Sequence, residues 1–277
     1  MKLLDPKNDV AFFKIFANEN KKEPLLSFLN SILCFTGTDR EIIDFTVESP
    51  YRLPRLEGLR DSILDIKAVD KRNIHYIISV QLLRTFAYEK KLLYYIKKAS
   101  RQQPAKAENY PKKNQELLLS FLDFEFFEDS PGYASRYFLM NEKTSLNNFL
   151  DFELNLVELP KFTVPLEQLE DIKEKWIYFF KNAGNMTMIP KEIESPVVLK
   201  EAFEAADQKS WTKEELESYD NRGILIQDER GRVQHAYEEG VKKGVAIEVA
   251  KNAFKDGVPI QMISKITGLL EEEIREI

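Results

Sequence analysis

Ile63-Leu64-Asp65-Ile66-Lys67-Ala68-Val69-Asp70-Lys71-Arg72-Asn73-Ile74-His75-Tyr76-Ile77-Ile78-Ser79-Val80-Gln81-Leu82-Leu83 is the stretch on which the fold turns. Two runs with a period of two flank a short polar break, the pattern of paired β-strands. In the first run Ile63, Asp65, Lys67 and Val69 share one face, and Leu64, Ile66 and Ala68 share the other. In the second, Ile74, Tyr76, Ile78, Val80 and Leu82 make a wholly apolar face, while His75, Ile77, Ser79, Gln81 and Leu83 make a mixed one. Opposed residues of a hairpin point the same way, so the loop length decides which faces meet. A three-residue connection, Lys71-Arg72-Asn73, sets Asp70 opposite Ile74 and Asp65 opposite Ser79. Asn73 suits the left-handed position that such loops use. Asp65 is then a mid-strand carboxylate facing the polar pair Ser79 and Gln81. Alone, an aspartate in a strand is commonly a turn or edge residue. Facing polar neighbours, it suits a hard divalent cation, which takes oxygen ligands from one or two carboxylates.

Working outward, residues 9–33 repeat apolar side chains at three- and four-residue spacing, and Pro24 divides them into two helices or kinks one. A short extended segment is expected at Ile42 to Val47, followed by a Pro-bounded loop at 49–57. Arg84 to about Ser100 reads as a helix with Tyr88, Leu92, Tyr95, Ile96 and Ala99 as its apolar stripe, closed by Pro104. Strands are expected at Leu117 to Phe127, Tyr133 to Met140 and Leu154 to Leu159. Beyond Pro165 the pattern is helical: Leu166 to Asn182, Ser195 to about Lys209, a capping box at Thr212 and Glu215, and a long polar helix from Arg222 to Gln261. Two domains follow from this layout, residues 1–160 with the strands and residues 161–277 with helices alone. The last helices, around Thr267-Gly268, have the size of a small helix-turn-helix hairpin. A dimerising hairpin fits the same pattern, and the second helix, starting at Glu271, is acidic where a DNA-reading helix is basic.

Composition narrows the class. Apolar residues make up 43% and charged residues 31%, which describes a globular chain, and no run of about 18 apolar residues is present to span a bilayer. Met1-Lys2-Leu3-Leu4-Asp5-Pro6-Lys7 has no apolar stretch before its first charges, so a secretion signal is not read and a cytoplasmic location is expected. One cysteine, Cys34, and two histidines, His75 and His235, supply too few soft ligands for a Cys/His zinc site and no matched pair for a Cys-His protease. Within its apolar run Cys34 is expected to be a buried, inert thiol. Net charge is −6, yet residues 84–113 hold nine bases against two acids. A basic strip on an acidic body is the footprint of phosphate contact, and charge alone fits a solvated helix face equally well.

Asn8-Asp9-Val10-Ala11-Phe12-Phe13-Lys14-Ile15-Phe16, Ile63-Leu64-Asp65-Ile66-Lys67, Tyr76-Ile77-Ile78-Ser79-Val80-Gln81, Lys90 to Tyr95 and Ala107-Glu108-Asn109-Tyr110 together resemble the PD-(D/E)XK nuclease family transposases, the recombination-promoting nuclease (Rpn) family. The likeness covers about residues 1–160 in motif order and spacing. It implies an α/β, restriction-endonuclease-like αβββαβ core with an α-helical C-terminal region, a metal-dependent DNA endonuclease activity, Mg2+ or Mn2+ as cofactor, double-stranded DNA as partner, and a bacterial mobile-element or recombination setting. By the same resemblance, Asp65 is the first metal carboxylate, the Val80 carbonyl adds a metal ligand, and Gln81 stands in for the usual lysine. Asp9 and Lys14 are auxiliary groups, and Lys90, Lys91, Tyr94, Lys97 and Lys98 lie along the DNA backbone, where contacts position without conferring sequence preference.

The chain departs from the pattern in two places. Ser79 stands where the family has Glu, leaving a single strand carboxylate, and a neutral hydroxyl binds a metal only weakly. Ala99-Ser100-Arg101-Gln102-Gln103-Pro104-Ala105 falls where Tyr-Ser-x-Gln-Leu is expected, and Ala107 where Gly is usual. Metal affinity and water activation should both fall, so the chain reads as an impaired or inactive copy. The rival reading is a catalytically dead DNA-binding or protein-interaction module that oligomerises, as a homodimer for instance, through its helical C-terminal half.

Overall fold

A computed structural model of the protein describes residues 2–18, 21–48, 62–83, 115–127, 129–138 and 152–276, with only the backbone described at residues 48, 62–65, 79, 81–83, 152 and 229. The helical pattern of residues 9–33 becomes two helices, α1 (Asp9–Phe16) and α2 (Glu23–Ile32). Asn8 caps α1 by accepting the Val10 N–H at 3.0 Å. Pro24 sits in the first turn of α2, where a missing N–H costs nothing, so the proline starts a helix instead of kinking one.

Six strands follow: β1 (Ile42–Glu48), β2 (Ser62–Asp70), β3 (His75–Leu83), β4 (Gln115–Leu122), β5 (Ala134–Phe138) and β6 (Phe152–Glu158). They form one sheet in the order β1-β2-β3-β4-β6-β5, with β3–β4 and β4–β6 parallel and the other pairs antiparallel. The β2–β3 register is the one that a three-residue loop dictates, with Asp65 opposite Ser79. Asp70 locks that loop. Its buried carboxylate accepts the N–H groups of Arg72 and Ile74 (2.9 Å each), the Arg72 guanidinium (2.7 and 3.0 Å) and the Tyr76 hydroxyl (2.9 Å). Asn73 takes the left-handed conformation, φ 60°.

One face of the sheet carries the main core. Phe45, Ile66, Ala68, Tyr76, Ile78, Val80, Leu117, Leu119, Phe121 and Val157 lie against Phe12, Phe16, Leu25 and Phe28 of the first two helices. Trp176, Phe179 and Phe180 of α3 (Ile172–Asn182) and Leu199 and Phe203 of α4 (Val197–Ala206) complete the same cluster. Phe28 is its hub, with ring centroids 4.8 Å from Phe16, 5.6 Å from Phe121 and 5.7 Å from Trp176. On the other face, towards β4 and β6, Leu118, Leu122, Phe124, Leu154 and Leu156 form a second, smaller cluster.

The expected capping box is present. Thr212 Oγ1 accepts the Glu215 N–H and Glu215 Oε2 accepts the Thr212 N–H, opening α5 (Lys213–Lys255). From this expected start the helix runs without a break into the polar segment beyond Arg222, with Leu216 and Tyr219 packed on the core. It ends earlier than expected, since Gly257 at φ 79° and Pro259 cannot continue it. The chain divides into two compact units, Met1–Gly223 and Ile224–Ile277. Within the second, Ala250, Ile263, Leu269 and Ile274 bring the end of α5 together with α6 (Ile260–Thr267) and α7 (Glu271–Arg275), and Gly268 makes the left-handed turn between the last two. The architecture is an α/β, restriction-endonuclease-like core with a helical C-terminal region. Among the described residues, no helix is long and apolar enough to cross a membrane.

Cys34 departs from the expectation of burial. The chain leaves α2 at Ile32, and Cys34 adopts φ 56°, so that Leu33 and Phe35 enter the core while the thiol stays exposed. Ellman's reagent should therefore titrate one thiol in the native protein, without denaturant. Asp70 gives a second expectation. Burial alone would raise its pKa, but the Ile74 N–H, Arg72 and Tyr76 outweigh it and hold the carboxyl below the usual aspartate range. Its stabilisation is complete above about pH 4 and declines as pH falls towards the depressed value. Asp70→Asn should cost about 1.5–3 kcal/mol at neutral pH by urea denaturation, and its deficit against wild type should shrink in acid.

Candidate functional site

Across the sheet, residues in register share a face, which sorts the polar positions into rows. The central row runs Glu48, Asp65, Ser79, Leu118 from β1 to β4. On one side of it lies the row Thr46, Lys67, Ile77, Glu116, and on the other the row Ile63, Gln81, Ser120. This is the face opposite the main core. It is apolar at Leu118 and Leu156 and opens towards β1, where Thr46 and Lys67 are exposed.

The structure thus brings three of the residues singled out in the sequence onto one face: Asp65 and Ser79 side by side, and Gln81 one row away. Val80, between the last two, buries its side chain in the main core, and its strand is interior, flanked by β2 and β4. Lys90, Lys91, Tyr94, Lys97 and Lys98, with the helix expected to carry them, lie outside the described residues.

Asp9 and Lys14 sit on α1, whose Phe12 and Phe16 pack on the main-core face. Both are engaged by the start of α5. Asp9 accepts a hydrogen bond from Arg222 Nε at 2.8 Å, and Lys14 donates one to Glu215 at 2.5 Å. Desolvation works against Glu215, yet Lys14 and the Thr212 N–H hold its carboxyl below the usual glutamate range. Among the described side chains, no group of three or more His, Cys, Asp or Glu is placed to hold a metal; the side chains at 48 and 65 are not among them.

Two residues of this face escaped the sequence reading. Glu48 extends β1 one position past the expected end at Val47. The alternation of exposed Asp44 and Thr46 with buried or half-buried Phe45 and Val47 is the signal that would have placed it. Ser120 is fully buried, and its hydroxyl has no hydrogen-bond partner among the described residues. It was hidden in the apolar run of β4. A buried hydroxyl without a partner costs about 1–3 kcal/mol, which makes Ser120 an unspent polar group on the face of Asp65, Ser79 and Gln81.

A family model described as PD-(D/E)XK nuclease family transposase matches residues 6–236, a span that includes all six strands and the four helices of the main core. No curated protein and no solved structure matches the chain.

The orphan at Ser120 gives the face a stability signature. Ser120→Ala removes a hydroxyl that no described residue satisfies and leaves the volume nearly unchanged. The variant should be as stable as wild type or more stable by up to about 2 kcal/mol in chemical denaturation without added metal.

Proposed function

Since the chain belongs to the PD-(D/E)XK nuclease family transposases, we propose that it binds double-stranded DNA and carries a divalent-metal endonuclease site centred on Asp65, impaired in cutting by Ser79. The observation that carries this reading is the β2–β3 register, which sets Asp65 beside Ser79 with Gln81 one row on. The donor types fit the group: a carboxylate, a hydroxyl, a side-chain amide and the unsatisfied Ser120 oxygen on one face are hard ligands of the kind that Mg2+ or Mn2+ accepts. A bound ion supplies Lewis-acid activation of the phosphodiester.

Each of the chain's own residues has a distinct part. Asp65 holds the charge-bearing end of the site, with the Val80 carbonyl as a further ligand. Gln81 orients a water or phosphate oxygen through its amide. It cannot supply the positive charge that a lysine there would bring to the developing negative charge. Ser79 offers a neutral oxygen in place of a carboxylate, so β3 contributes less to metal binding and to water activation. Lys90, Lys91, Tyr94, Lys97 and Lys98 contact DNA phosphates, contributing affinity without base preference. Asp9 and Lys14, on the main-core side of the sheet and paired with Arg222 and Glu215, are given no part in the site.

A second reading rests on a separate observation: Val233, Tyr237, Val241, Val245 and Val249 of α5 are exposed at four-residue spacing. In that reading the fold is a platform and the helical half makes a homodimer; light scattering that finds a monomer at all concentrations sinks it.

For the leading reading, plasmid DNA is incubated with Mg2+ or Mn2+. Wild type should nick slowly, Ser79→Glu faster, and Asp65→Asn not at all. DNA affinity should fall steeply as salt rises, and changing Lys90, Lys91, Lys97 and Lys98 to Glu should abolish that slope. Cutting by Asp65→Asn at the wild-type rate would remove the assignment.

A further inference from the structure

The register places a second acid next to Asp65, on the side away from Ser79. Glu48 of β1 is the direct cross-strand partner of Asp65. Opposed positions in an antiparallel pair stand about 4.5–5.5 Å apart at Cβ, the same relation that Asp65 has to Ser79 across β3. Glu48, Asp65 and Ser79 therefore form a row in which an acid has been lost at one end and is available at the other.

Glu48 owes its place in that row to an irregularity in β1. Ile42 pairs with Asp70, but Asp44 pairs with Val69, so Ile43 is an extra residue in the ladder. Carried on without that shift, the pairing would set Val47 opposite Asp65 and Glu48 opposite Leu64, on the core face. The one-residue shift moves Val47 to the core beside Ile66 and Glu48 to the polar face. Bulges of this kind recur beside active sites, where they re-aim a side chain. The buried Ser120 hydroxyl, without a hydrogen-bond partner among the described residues, lies on the same face beside Gln81, on β4 and so two strands from Asp65 and three from Glu48.

We infer that Glu48 supplies the second carboxylate of the divalent-cation site, replacing from β1 the acid that Ser79 lacks on β3. The inference rests on the proposed metal site at Asp65 and adds a ligand and a consequence to it. Two carboxylates on adjacent strands meet the requirement for holding Mg2+ or Mn2+. With the pair on β1 and β2, a bound cation would lie about one strand spacing, roughly 4.8 Å, nearer the β1 edge than a β2–β3 pair would hold it, and so further from Gln81. Cation binding is kept while the water-orienting group is left behind. The chain then binds metal and DNA well and cuts poorly, for a positional reason and not for want of a ligand.

The test reads metal binding directly, with Mn2+ alone as probe, by calorimetry and by the loss of the free-ion electron paramagnetic resonance signal in titrations of the full chain. Thermal unfolding in EDTA reports folding for each variant. Glu48→Gln, isosteric and on an edge strand, should weaken Mn2+ binding at least about tenfold, as should Asp65→Asn, because removing one of two charges strips the site of half its formal charge. Ser79→Glu added to Glu48→Gln should restore binding. In the Ser79→Glu background, Glu48→Gln should cost less Mn2+ affinity than it does in wild type. If Glu48→Gln binds Mn2+ as wild type does while Asp65→Asn does not, the role of Glu48 is overturned and the site at Asp65 stands. If Asp65→Asn leaves Mn2+ binding unchanged, or wild type binds none, the site itself is overturned.

Discussion

The Asp70 carboxylate is the point on which the rest of the molecule depends. Buried at the tip of the β2–β3 hairpin, it gathers two backbone N–H groups, an arginine and a tyrosine hydroxyl, and by doing so fixes a three-residue loop. Loop length fixes parity, and a slip of one residue would exchange every inward and outward side chain of β3. Ile78 and Val80 would leave the core and Ser79 and Gln81 would enter it, with no partner there for a buried amide. The aromatic cluster built around Phe28 and Phe121 assumes the register that Asp70 sets, and so does the polar row through Asp65.

The sheet changes character across its width, and that change localises the site. At β4 and β6 both faces are buried: Leu117, Leu119 and Phe121 on the main core, Leu118, Leu122, Leu154 and Leu156 on the smaller cluster. At β1 and β2 only one face is. Phe45, Ile66 and Ala68 are buried, while Thr46 and Lys67 are exposed. Asp65 and Ser79 stand between these regimes, with Leu118 on one side and Glu48 on the other. Their positions in the register therefore fall between a strand buried on both faces and an edge strand that is exposed on one.

The hairpin was legible in the sequence because its determinants are local: alternation, an odd loop and an asparagine suited to positive φ. The helix start at Thr212 was legible for the same reason. What sequence could not give was set by tertiary partners. The exposure of Cys34 depends on a left-handed residue that lets Leu33 and Phe35 share the core, and an apolar run conceals that choice. The continuity of the capped turn at Thr212 with the polar segment beyond Arg222 was not legible, and Leu216 and Tyr219, between the two, pack on the core. Ser120 reads as one small residue in a hydrophobic strand, and only its burial without a partner distinguishes it. Glu48 lay one residue past a strand end that propensity alone cannot locate, in a strand whose register shifts by one.

That shift has a visible anchor. Asn30, buried on α2, donates from Nδ2 to the Ile42 carbonyl at 2.9 Å and accepts the Ile42 N–H at Oδ1 at 2.8 Å. The side-chain amide acts as a one-residue strand on the open edge of β1, satisfying the backbone groups that an edge strand otherwise presents to other chains. It also holds Ile42 in its pairing with Asp70, so the extra residue is taken up after Ile42, at Ile43, whose side chain is exposed and free of packing demands. Phe45 then returns to the core face opposite Ala68, and the parity it re-establishes carries through Val47 to Glu48. Asp70 and Asn30 therefore work as a pair: one fixes β3 against β2 from the hairpin, the other fixes β1 against β2 from a helix. The position of Glu48 beside Asp65 depends on the two together, although neither residue is within the site.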